Sequence, residues 1–310
     1  MSSEVRRAAQ ILRAGGLVAF PTETVYGLGA DASSEKAVAR LYQVKRRPAD
    51  HPVIVHFASA EAAFDWASEI PASAQQLAKK FWPGPLTLIL KRSSKARDFV
   101  TGGQPSVGLR VPSHPIAQQL MKEFGGAVAA PSANRFGQIS PTTAAHVRED
   151  LGKDVDLVLE GGPSEVGIES TIVDFSEGAP ALLRPGAITR EQIEALVPLS
   201  DAKSPVRHSG GLERHYAPRT PARLVPTHAL DKEISILKDR VAVLAFSRPD
   251  ERVDFWLRMP REPQAYAQRL YAALRELDSA GCESILVEAP PDEAEWAAVR
   301  DRLMRACTRA

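Results

Sequence analysis

Residues 17–32 read LVAFPTETVYGLGADA and determine how the N-terminal part of the chain begins to fold. The apolar run Leu17–Phe20 is the first of a series of candidate strands. The polar residues Thr22, Glu23 and Thr24 follow this strand at once, at the position where α/β sheets tend to bind ligands. Their hydroxyl groups are suited either to receiving a small polar substrate or simply to capping a turn.

Glycines in the same stretch resemble a nucleotide-binding pattern only superficially. Gly27, Gly29 and Ala32 match the loose dinucleotide fingerprint, in which a strand runs directly into the glycine turn. Here six residues lie between Phe20 and Gly27, so we interpret the match as chance. The sequence also lacks the phosphate-loop pattern and the His-Glu-x-x-His pattern of zinc hydrolases, so these two enzyme classes lose support.

Apolar runs and helix-period segments alternate over the N-terminal two thirds of the chain. The further candidate strands are Val53–Phe57, Leu86–Leu90, Val107–Val111, Val128–Ala130, Leu157–Leu159, Thr171–Phe175 and Ala181–Leu183. Helical periodicity marks Glu35–Val44 and Ile116–Phe124, the latter after a Ser-His-Pro start signal. Because consecutive strands near residues 155–185 lack intervening helices, we predict an α/β domain with a twisted, mixed and curved sheet rather than a doubly wound one.

The C-terminal part predicts a second, smaller α/β domain. Residues 198–221 lose the periodic pattern and are rich in Ser, Pro, Gly and Arg, as is typical of a linker. Beyond them, Val241–Phe246 and Ser284–Glu288 are candidate strands, and Pro263–Leu277 is a candidate helix. The predicted organisation is therefore a domain at 1–197, a linker at 198–221 and a domain at 222–310.

Composition excludes several classes of protein. The 310 residues contain 39 Lys and Arg against 38 Asp and Glu, a net charge of +1 that disfavours a large RNA-binding surface. No run of about 18 apolar residues appears and the N-terminus lacks a signal peptide, so we expect a soluble, cytoplasmic protein. Cys282 and Cys307 lack the spacing of a zinc site or a disulfide framework.

Three further segments place cationic or hydroxyl side chains beside strand ends. Lys45, Arg46 and Arg47 follow a predicted helix, where cations can simply compensate the helix dipole on a solvated face. Pro48 and Pro52, on either side of His51, stiffen the segment and favour a fixed anion site. Arg110 interrupts an apolar strand, where it needs an anion, either a structural or a substrate carboxylate.

The third segment, around Ser132, has small residues that let a ligand approach the backbone closely, although a proline-braced loop would look the same. Ser170 and Arg184 are weaker candidates.

These segments together resemble the YrdC/Sua5 family, the threonylcarbamoyl-AMP synthases. The matching motifs are FPTETVYGLGADA from Phe20, the Lys45 and Arg47 pair, FWPGPLTLIL from Phe81, VGLRVP from Val107, PSAN from Pro131 and GIESTIVDF from Gly167. Residues 208–221, HSGGLERHYAPRTP, resemble the linker before the Sua5 domain. The resemblance therefore covers nearly the whole chain and implies the long form of the family.

The resemblance implies a twisted α/β sheet curved around a basic cavity, and a nucleotidyltransferase activity. The family makes threonylcarbamoyl-AMP and pyrophosphate from L-threonine, bicarbonate and ATP, with Mg²⁺ accompanying the ATP. The product serves the t6A modification of tRNA, so the implied partners are a downstream tRNA threonylcarbamoyl transferase and, through a weak contact, tRNA. No membrane partner is implied.

The resemblance also implies the site residues. Threonine would be held by Thr24, His56, Arg110, the backbone of Ala130, and Ser170. The nucleotide and its phosphates would be lined by Lys45, Arg47, His51, Ser106, Ser132, Asn134, Ser140 and Arg184, with Tyr216 closing the site from the linker. Lys45 and Arg47 would be the catalytic cations, and no protein side chain would bind a metal. His51 stands where the family usually has Asn.

Two other functions compete with this prediction. A basic concave surface of this kind is also suited to a non-catalytic RNA-binding module, whose binding would weaken steeply with salt and would not need threonine. A carbamoyl transferase related to hydrogenase maturation also uses a YrdC-like module. It would normally carry zinc-type cysteine motifs, which this sequence lacks.

Overall fold

The structure, a computed structural model, describes residues 2–202, 204–237 and 239–309. The chain divides into two compact units. The first contains the residues up to Phe136, Pro141–Glu165 and Glu169–Gly211, and the second contains Gly137–Ser140, Val166–Ile168 and the residues from Leu212 onward. Each is described separately.

The first unit is built on nine strands and eight α-helices in its described residues. The strands are β1 Val18–Phe20, β2 Gly27–Asp31, β3 Val55–His56, β4 Leu86–Lys91, β5 Ser106–Arg110, β6 Val128–Ala129, β7 Leu157–Val158, β8 Thr171–Asp174 and β9 Ala181–Arg184. The helices are α1 Ser2–Arg13, α2 Glu35–Lys45, α3 Ala60–Phe64, α4 Ala72–Phe81, α5 Asp98–Thr101, α6 Pro115–Phe124, α7 Ala144–Leu151 and α8 Arg190–Glu194.

The strands form one mixed sheet in the order β7-β1-β2-β6-β3-β5-β4-β8-β9. Three pairs, β1 with β7, β3 with β5 and β4 with β8, are parallel, and the other neighbours are antiparallel. The predicted mixed α/β sheet is confirmed. Side chains alternate between its faces as the strand period requires, so Leu17 and Ala19 join one apolar core while Val18 and Phe20 join another.

Strand β2 was not predicted, because its sequence GLGAD contains no β-branched or aromatic residue. It pairs antiparallel with β1, and Val18 lies opposite Gly29. A Cβ atom at Gly29 would lie only 2.9 Å from the Phe20 ring and 3.2 Å from the Val18 carbonyl oxygen. The glycines of this stretch therefore allow close strand packing and do not form a phosphate-binding turn.

Helix α2 ends beside the predicted anion site for local reasons. Ser34 caps its start by accepting a hydrogen bond from the Ala37 amide at 3.3 Å, and Val38 and Leu41 are buried on its inner face. Arg46, with a φ of 55°, adopts the left-handed conformation that stops the helix directly after Lys45. The predicted helix Glu35–Val44 is thus confirmed to within one residue.

The second unit contains a five-stranded sheet in which every pair is parallel. Its strands are β10 Ala222–Val225, β11 Val241–Ala245, β12 Phe255–Arg258, β13 Ser284–Glu288 and β14 Thr308–Arg309, in the order β12-β11-β13-β10-β14. Its helices are α9 Leu230–Ile236, α10 Pro263–Asp278 and α11 Ala297–Ala306. The predicted smaller α/β domain is confirmed, and α10 buries the predicted face of Tyr266, Leu270, Leu274 and Leu277.

The connection between α8, the last helix of the first unit, and β10 contains no regular secondary structure. No helix or strand is assigned between Glu194 and Ala222 in the described residues, apart from two isolated bridges, of Ser200 to Ala181 and of Ala217 to Gln138. None of the described helices is both long and apolar enough to cross a membrane.

Candidate functional site

Neighbouring strands of the first sheet bring several predicted site residues together. His56 on β3 lies in register with Arg110 on β5, which in turn lies opposite Thr87 on β4. The Thr87 and Ser170 hydroxyl oxygens are 2.8 Å apart. Arg184, at the end of β9, donates to the Ser170 hydroxyl and to the Ser170 carbonyl at 3.1 and 3.0 Å. The sheet therefore forms a polar row from His56 to Arg184.

Arg110 meets a structural carboxylate, one of the two alternatives that the sequence left open. Its Nη2 atom donates to Oε1 of Glu23 at 2.8 Å, and the other oxygen of Glu23 accepts the Ser113 amide at 3.1 Å. Glu23 was predicted only as part of a polar segment and not as a site residue. Its partner is distant in the sequence, and no local pattern identifies such a pair.

Two buried polar atoms in this row have no hydrogen-bond partner among the described residues. They are Nε of Arg110 and Nδ1 of His56, whose backbones are paired in register. A buried polar group without a partner costs about 1–3 kcal/mol, more if it is charged. Because native proteins keep few such groups, two in adjacent positions indicate that a ligand completes the site.

His56 is a neutral imidazole at physiological pH. Burial, and secondarily the positive charge of Arg110, lowers the pKa of His56 to about 3. The ring meets Phe20 edge-on, with 6.2 Å between centroids. A neutral ring offers one donor and one acceptor, so His56 can orient a small ligand without adding charge.

We expect the His56 pKa to make the stability of the first unit fall as the solution is acidified. Between about pH 6.5 and pH 3 the unfolded chain binds a proton at His56 that the folded chain does not, so stability is lost as pH falls, by up to about 1.4 kcal/mol per pH unit. The test is the free energy of unfolding in urea, measured between about pH 7 and pH 5. Plotted against pH, it should have a shallower slope for His56→Gln than for wild type. The control His228→Gln, at an exposed position, should keep the wild-type slope. Equal slopes for His56→Gln and wild type would refute the assignment.

Thr24 lies in a hydrogen-bonded turn with Thr22. The Thr22 hydroxyl donates to the Val25 carbonyl at 2.6 Å and accepts from the amides of Thr24 and Val25. Its oxygen is 2.9 Å from the Thr24 hydroxyl, which therefore acts as the donor of that pair. Thr22 thus caps a turn, whereas the Thr24 hydroxyl retains its capacity to accept.

Lys45 is held by the loop of Ser132 and Asn134. Its Nζ atom donates to the carbonyl oxygens of these two residues at 2.5 and 2.7 Å, and to Oδ1 of Asn134 at 3.2 Å. The Ser132 hydroxyl also donates to that Oδ1, at 2.6 Å. Burial, followed by the charge of Arg47, lowers the pKa of Lys45 well below its ordinary value. Through these three hydrogen bonds the Lys45 side chain organises the loop.

Arg47 is fixed by the segment that follows it. Its Nη2 donates to the Pro52 carbonyl at 2.7 Å and its Nε to the His51 carbonyl at 3.2 Å. The guanidinium also lies over the Phe136 ring, 5.3 Å from its centroid, and the His51 ring approaches the same phenyl ring edge-on at 5.4 Å. The proline-flanked segment is therefore an ordered part of the site, as the sequence indicated, rather than a solvated helix end.

Residues 207–209 also line the first unit's site. Ser209 accepts from Arg47 through its hydroxyl at 3.3 Å and from Arg184 through its carbonyl at 2.9 Å. The Gln104 side chain holds this segment by donating to the Arg207 carbonyl and accepting from its amide, at 2.9 and 2.7 Å. Together with Ser106 on β5, residues 207–209 line a small, narrow pocket.

The remaining predicted residues occupy different positions. Ala130 donates its amide to the Ile54 carbonyl at 3.0 Å, beside the sheet. Ser140 and Tyr216 belong to the second unit, where both are buried. Tyr216 has a φ of 61°, and its ring lies 5.7 Å from that of Tyr271 and 5.4 Å from the guanidinium carbon of Arg302. The other predicted site residues all lie in the first unit.

Buried positive charge is the main electrostatic feature of the first unit's site. Lys45, Arg47, Arg110 and Arg184 are 2, 8, 5 and 3% exposed, respectively. The fold and site therefore define an α/β protein that carries a buried cluster of cationic side chains beside its sheet, a feature suited to an anionic ligand. Among the described residues, no group of three or more His, Cys, Asp or Glu side chains is placed to hold a metal ion.

The chain belongs to the Sua5/YciO/YrdC family. The family model described as telomere recombination matches residues 10–186, and the model of the threonylcarbamoyl-AMP synthase C-terminal domain matches residues 188–308. The resemblance to the YrdC/Sua5 family, including its long form, is thereby confirmed.

Relatives of known name align over almost the whole chain. Threonylcarbamoyl-AMP synthase from Pyrococcus abyssi is 40% identical, over 98% of this chain and 94% of its own length. The synthase from Bacillus subtilis is 39% identical, over 98% of this chain and 92% of its own length. The crystal structure of P. abyssi Sua5 complexed with L-threonine superimposes with a TM-score of 0.92 at 36% identity, covering 100% of this chain and 97% of that one.

Proposed function

We propose that this chain is an L-threonylcarbamoyl-AMP synthase, which forms threonylcarbamoyl-AMP and pyrophosphate from L-threonine, bicarbonate and ATP. The observation that carries the proposal is the pair of unpartnered atoms, Nε of Arg110 and Nδ1 of His56, in a buried and cation-rich row of the sheet. The near full-length similarity to synthases of this name supports the proposal, as does the structural relative whose crystal contains L-threonine.

The threonine subsite follows from this row. Arg110 pairs with the carboxylate of threonine through Nε, because charge-assisted hydrogen bonds between guanidinium and carboxylate are strong. The neutral His56 ring, the Ser170 hydroxyl and the Thr24 hydroxyl then orient the polar groups of the amino acid. Ala130 contributes its backbone, as the family resemblance implies.

The nucleotide subsite uses the other cations. Lys45, Arg47 and Arg184 face the phosphates, while Ser132 and Asn134 present hydroxyl and amide groups from the loop that Lys45 organises. Ser106 and His51 contribute from the strand start and from the proline-flanked segment. Roles for Ser140 and Tyr216 at the nucleotide remain predictions from the family resemblance.

The chemistry needs no covalent intermediate on the enzyme. The threonine amine, once deprotonated, adds to the carbon of carbon dioxide, or to that of bicarbonate with loss of water, and forms a carbamate. A carbamate oxygen then attacks the α-phosphorus of ATP, and the bond to the β-phosphate oxygen breaks to release pyrophosphate. The step transfers the adenylyl group to the carbamate, which makes the enzyme a nucleotidyltransferase.

The protein contributes to this reaction mainly by alignment and by fixed charge. Negative charge develops on the phosphoryl oxygens, and buried cations such as Lys45 and Arg47 stabilise it without reorganisation. The Mg²⁺ ion is part of the nucleotide substrate in this proposal and is carried by its phosphates. The product is a mixed anhydride, which a downstream tRNA threonylcarbamoyl transferase would consume in forming t6A.

Pyrophosphate release tests the proposal directly. We expect release from ATP to require L-threonine and bicarbonate together, with threonylcarbamoyl-AMP identified by mass spectrometry. Release that is independent of either co-substrate would refute it. Salt-sensitive RNA binding without any pyrophosphate release would instead support the non-catalytic RNA-binding module.

A further inference from the structure

The buried ion pair of Glu23 and Arg110 has no net charge. The two side chains are 5% and 6% exposed and are joined at 2.8 Å. In the described ranges 2–202, 204–237 and 239–309, Glu23 is the one acidic side chain within ion-pair distance of Arg110. The positive charge of Arg110 is therefore already balanced inside the protein before any ligand binds.

Because the charge of Arg110 is already balanced, the ion pair makes the binding of a simple carboxylate less favourable in free energy. A simple carboxylate placed at Nε of Arg110 would give the buried group of three charges a net charge of −1. An excess buried charge is strongly unfavourable, because the protein interior solvates it much less than water does. A zwitterion adds one negative and one positive charge, so the group remains neutral.

The geometry places the positive charge of a zwitterion beside Glu23. Glu23 occupies Nη2 of the Arg110 guanidinium, while Nε of the same planar group has no partner among the described residues. The ammonium nitrogen of an α-amino acid is only two bonds from its carboxyl carbon. Oε1 of Glu23 accepts from Arg110 and Oε2 accepts from the Ser113 amide, and each oxygen has two lone pairs, so the carboxylate retains the capacity to accept from that ammonium group.

We propose that Glu23 determines specificity by requiring that the carboxylate ligand of Arg110 carry its own ammonium group. The site thus accepts zwitterionic amino acids and rejects hydroxy acids of the same shape. This inference rests on the proposed function, because it takes threonine as the ligand of Arg110.

The test compares L-threonine with 3-hydroxybutyrate, which is threonine without its ammonium group. Calorimetry on the full chain should show that wild type prefers threonine by about 100-fold or more, since a lost charge-assisted contact and an unbalanced buried charge each correspond to about tenfold or more. In Glu23→Gln we expect threonine to bind about tenfold more weakly and 3-hydroxybutyrate to bind more tightly, because the charge of Arg110 is then unbalanced. If Glu23 had a purely structural role, the Glu23→Gln variant would bind both ligands more weakly, and to the same extent.

Two further variants keep the test decisive. Glu69→Gln, at an exposed glutamate paired with Lys91, is the matched control and should leave both affinities unchanged. Glu23→Asp keeps the charge and should retain the preference for threonine even if Glu23→Gln does not fold. A thermal melt checks the fold of each variant.

The outcomes separate this inference from the proposed function. A smaller threonine preference in Glu23→Gln, with the preference retained in Glu23→Asp, supports the inference. An unchanged preference in a folded Glu23→Gln, or a lost preference in Glu23→Asp, overturns it while the synthase proposal stands. Failure of wild type to bind threonine at all overturns both.

Discussion

Replacing Arg110 with alanine should weaken the binding of L-threonine by about 100-fold or more and change the affinity for ATP by less than about threefold. The expectation follows from the position of the guanidinium, which is buried on β5 and presents Nε without a partner among the described residues. Truncation removes the proposed partner of the threonine carboxylate and leaves Glu23 buried without its counter-charge. Calorimetry with each ligand separately measures the two affinities.

Stability has to be separated from binding in this experiment. Removing one partner of a buried ion pair costs about 3–5 kcal/mol, whereas replacing both partners is often close to neutral. We therefore pair Arg110→Ala with the double variant Glu23→Gln/Arg110→Met, which should recover most of the lost stability but not the threonine affinity. Arg40→Ala, which breaks an ion pair with Asp156 at the surface, is the matched control. Equal losses of ATP and threonine affinity in the double variant would contradict the assignment of Arg110.

Replacing Lys45 with alanine should lower kcat by about 100-fold or more, because a fixed cation at developing phosphoryl charge contributes on that scale. The structure adds a second effect. The Nζ atom donates to the carbonyl oxygens of Ser132 and Asn134, so the alanine variant also loosens the loop that presents the Ser132 hydroxyl. We accordingly expect the KM for ATP to rise as well, while the affinity for threonine changes little.

A matched lysine on the same helix controls for the loss of charge in general. Lys36, in the first turn of α2, is exposed, and Lys36→Ala should leave kcat and both KM values unchanged. Lys45→Arg retains a positive charge and should recover part of kcat. If Lys45→Ala turns over at the wild-type rate, the cation does not act on the phosphates.

Local patterns were sufficient to predict most strands of the fold and its helices α2, α6 and α10. The apolar runs of β4, β5 and β8 and the capped helix α2 lie where the sequence indicated, because strand alternation and helix capping depend on residues close together in the chain. β2 was missed for the opposite reason. Its glycines have no strand propensity of their own, and they are in a strand because Phe20 packs against them across the β1–β2 pair.

For the site residues, too, the sequence predicted what depends on local context but not the distant partner of each residue. The sequence indicated that Arg110 needs an anion, since an arginine within an apolar strand is costly without one. It did not indicate which anion, because Glu23 lies 87 positions away and reaches Arg110 only when the loop after β1 folds beside β5. Similarly, the ammonium of Lys45 meets Asn134 across 89 positions, which no sequence spacing reveals.

The sequence by itself determined the family motifs, the alternation of strands and helices, and the identity of the cations that gather at the sheet. Only the tertiary structure decided that Arg110 is balanced by Glu23, that His56 lies in register with it, and that Lys45 anchors a loop. The physical reason is that side-chain periodicity and capping act over a few residues. Neutralising a buried charge instead depends on whichever group the fold brings within about 3 Å.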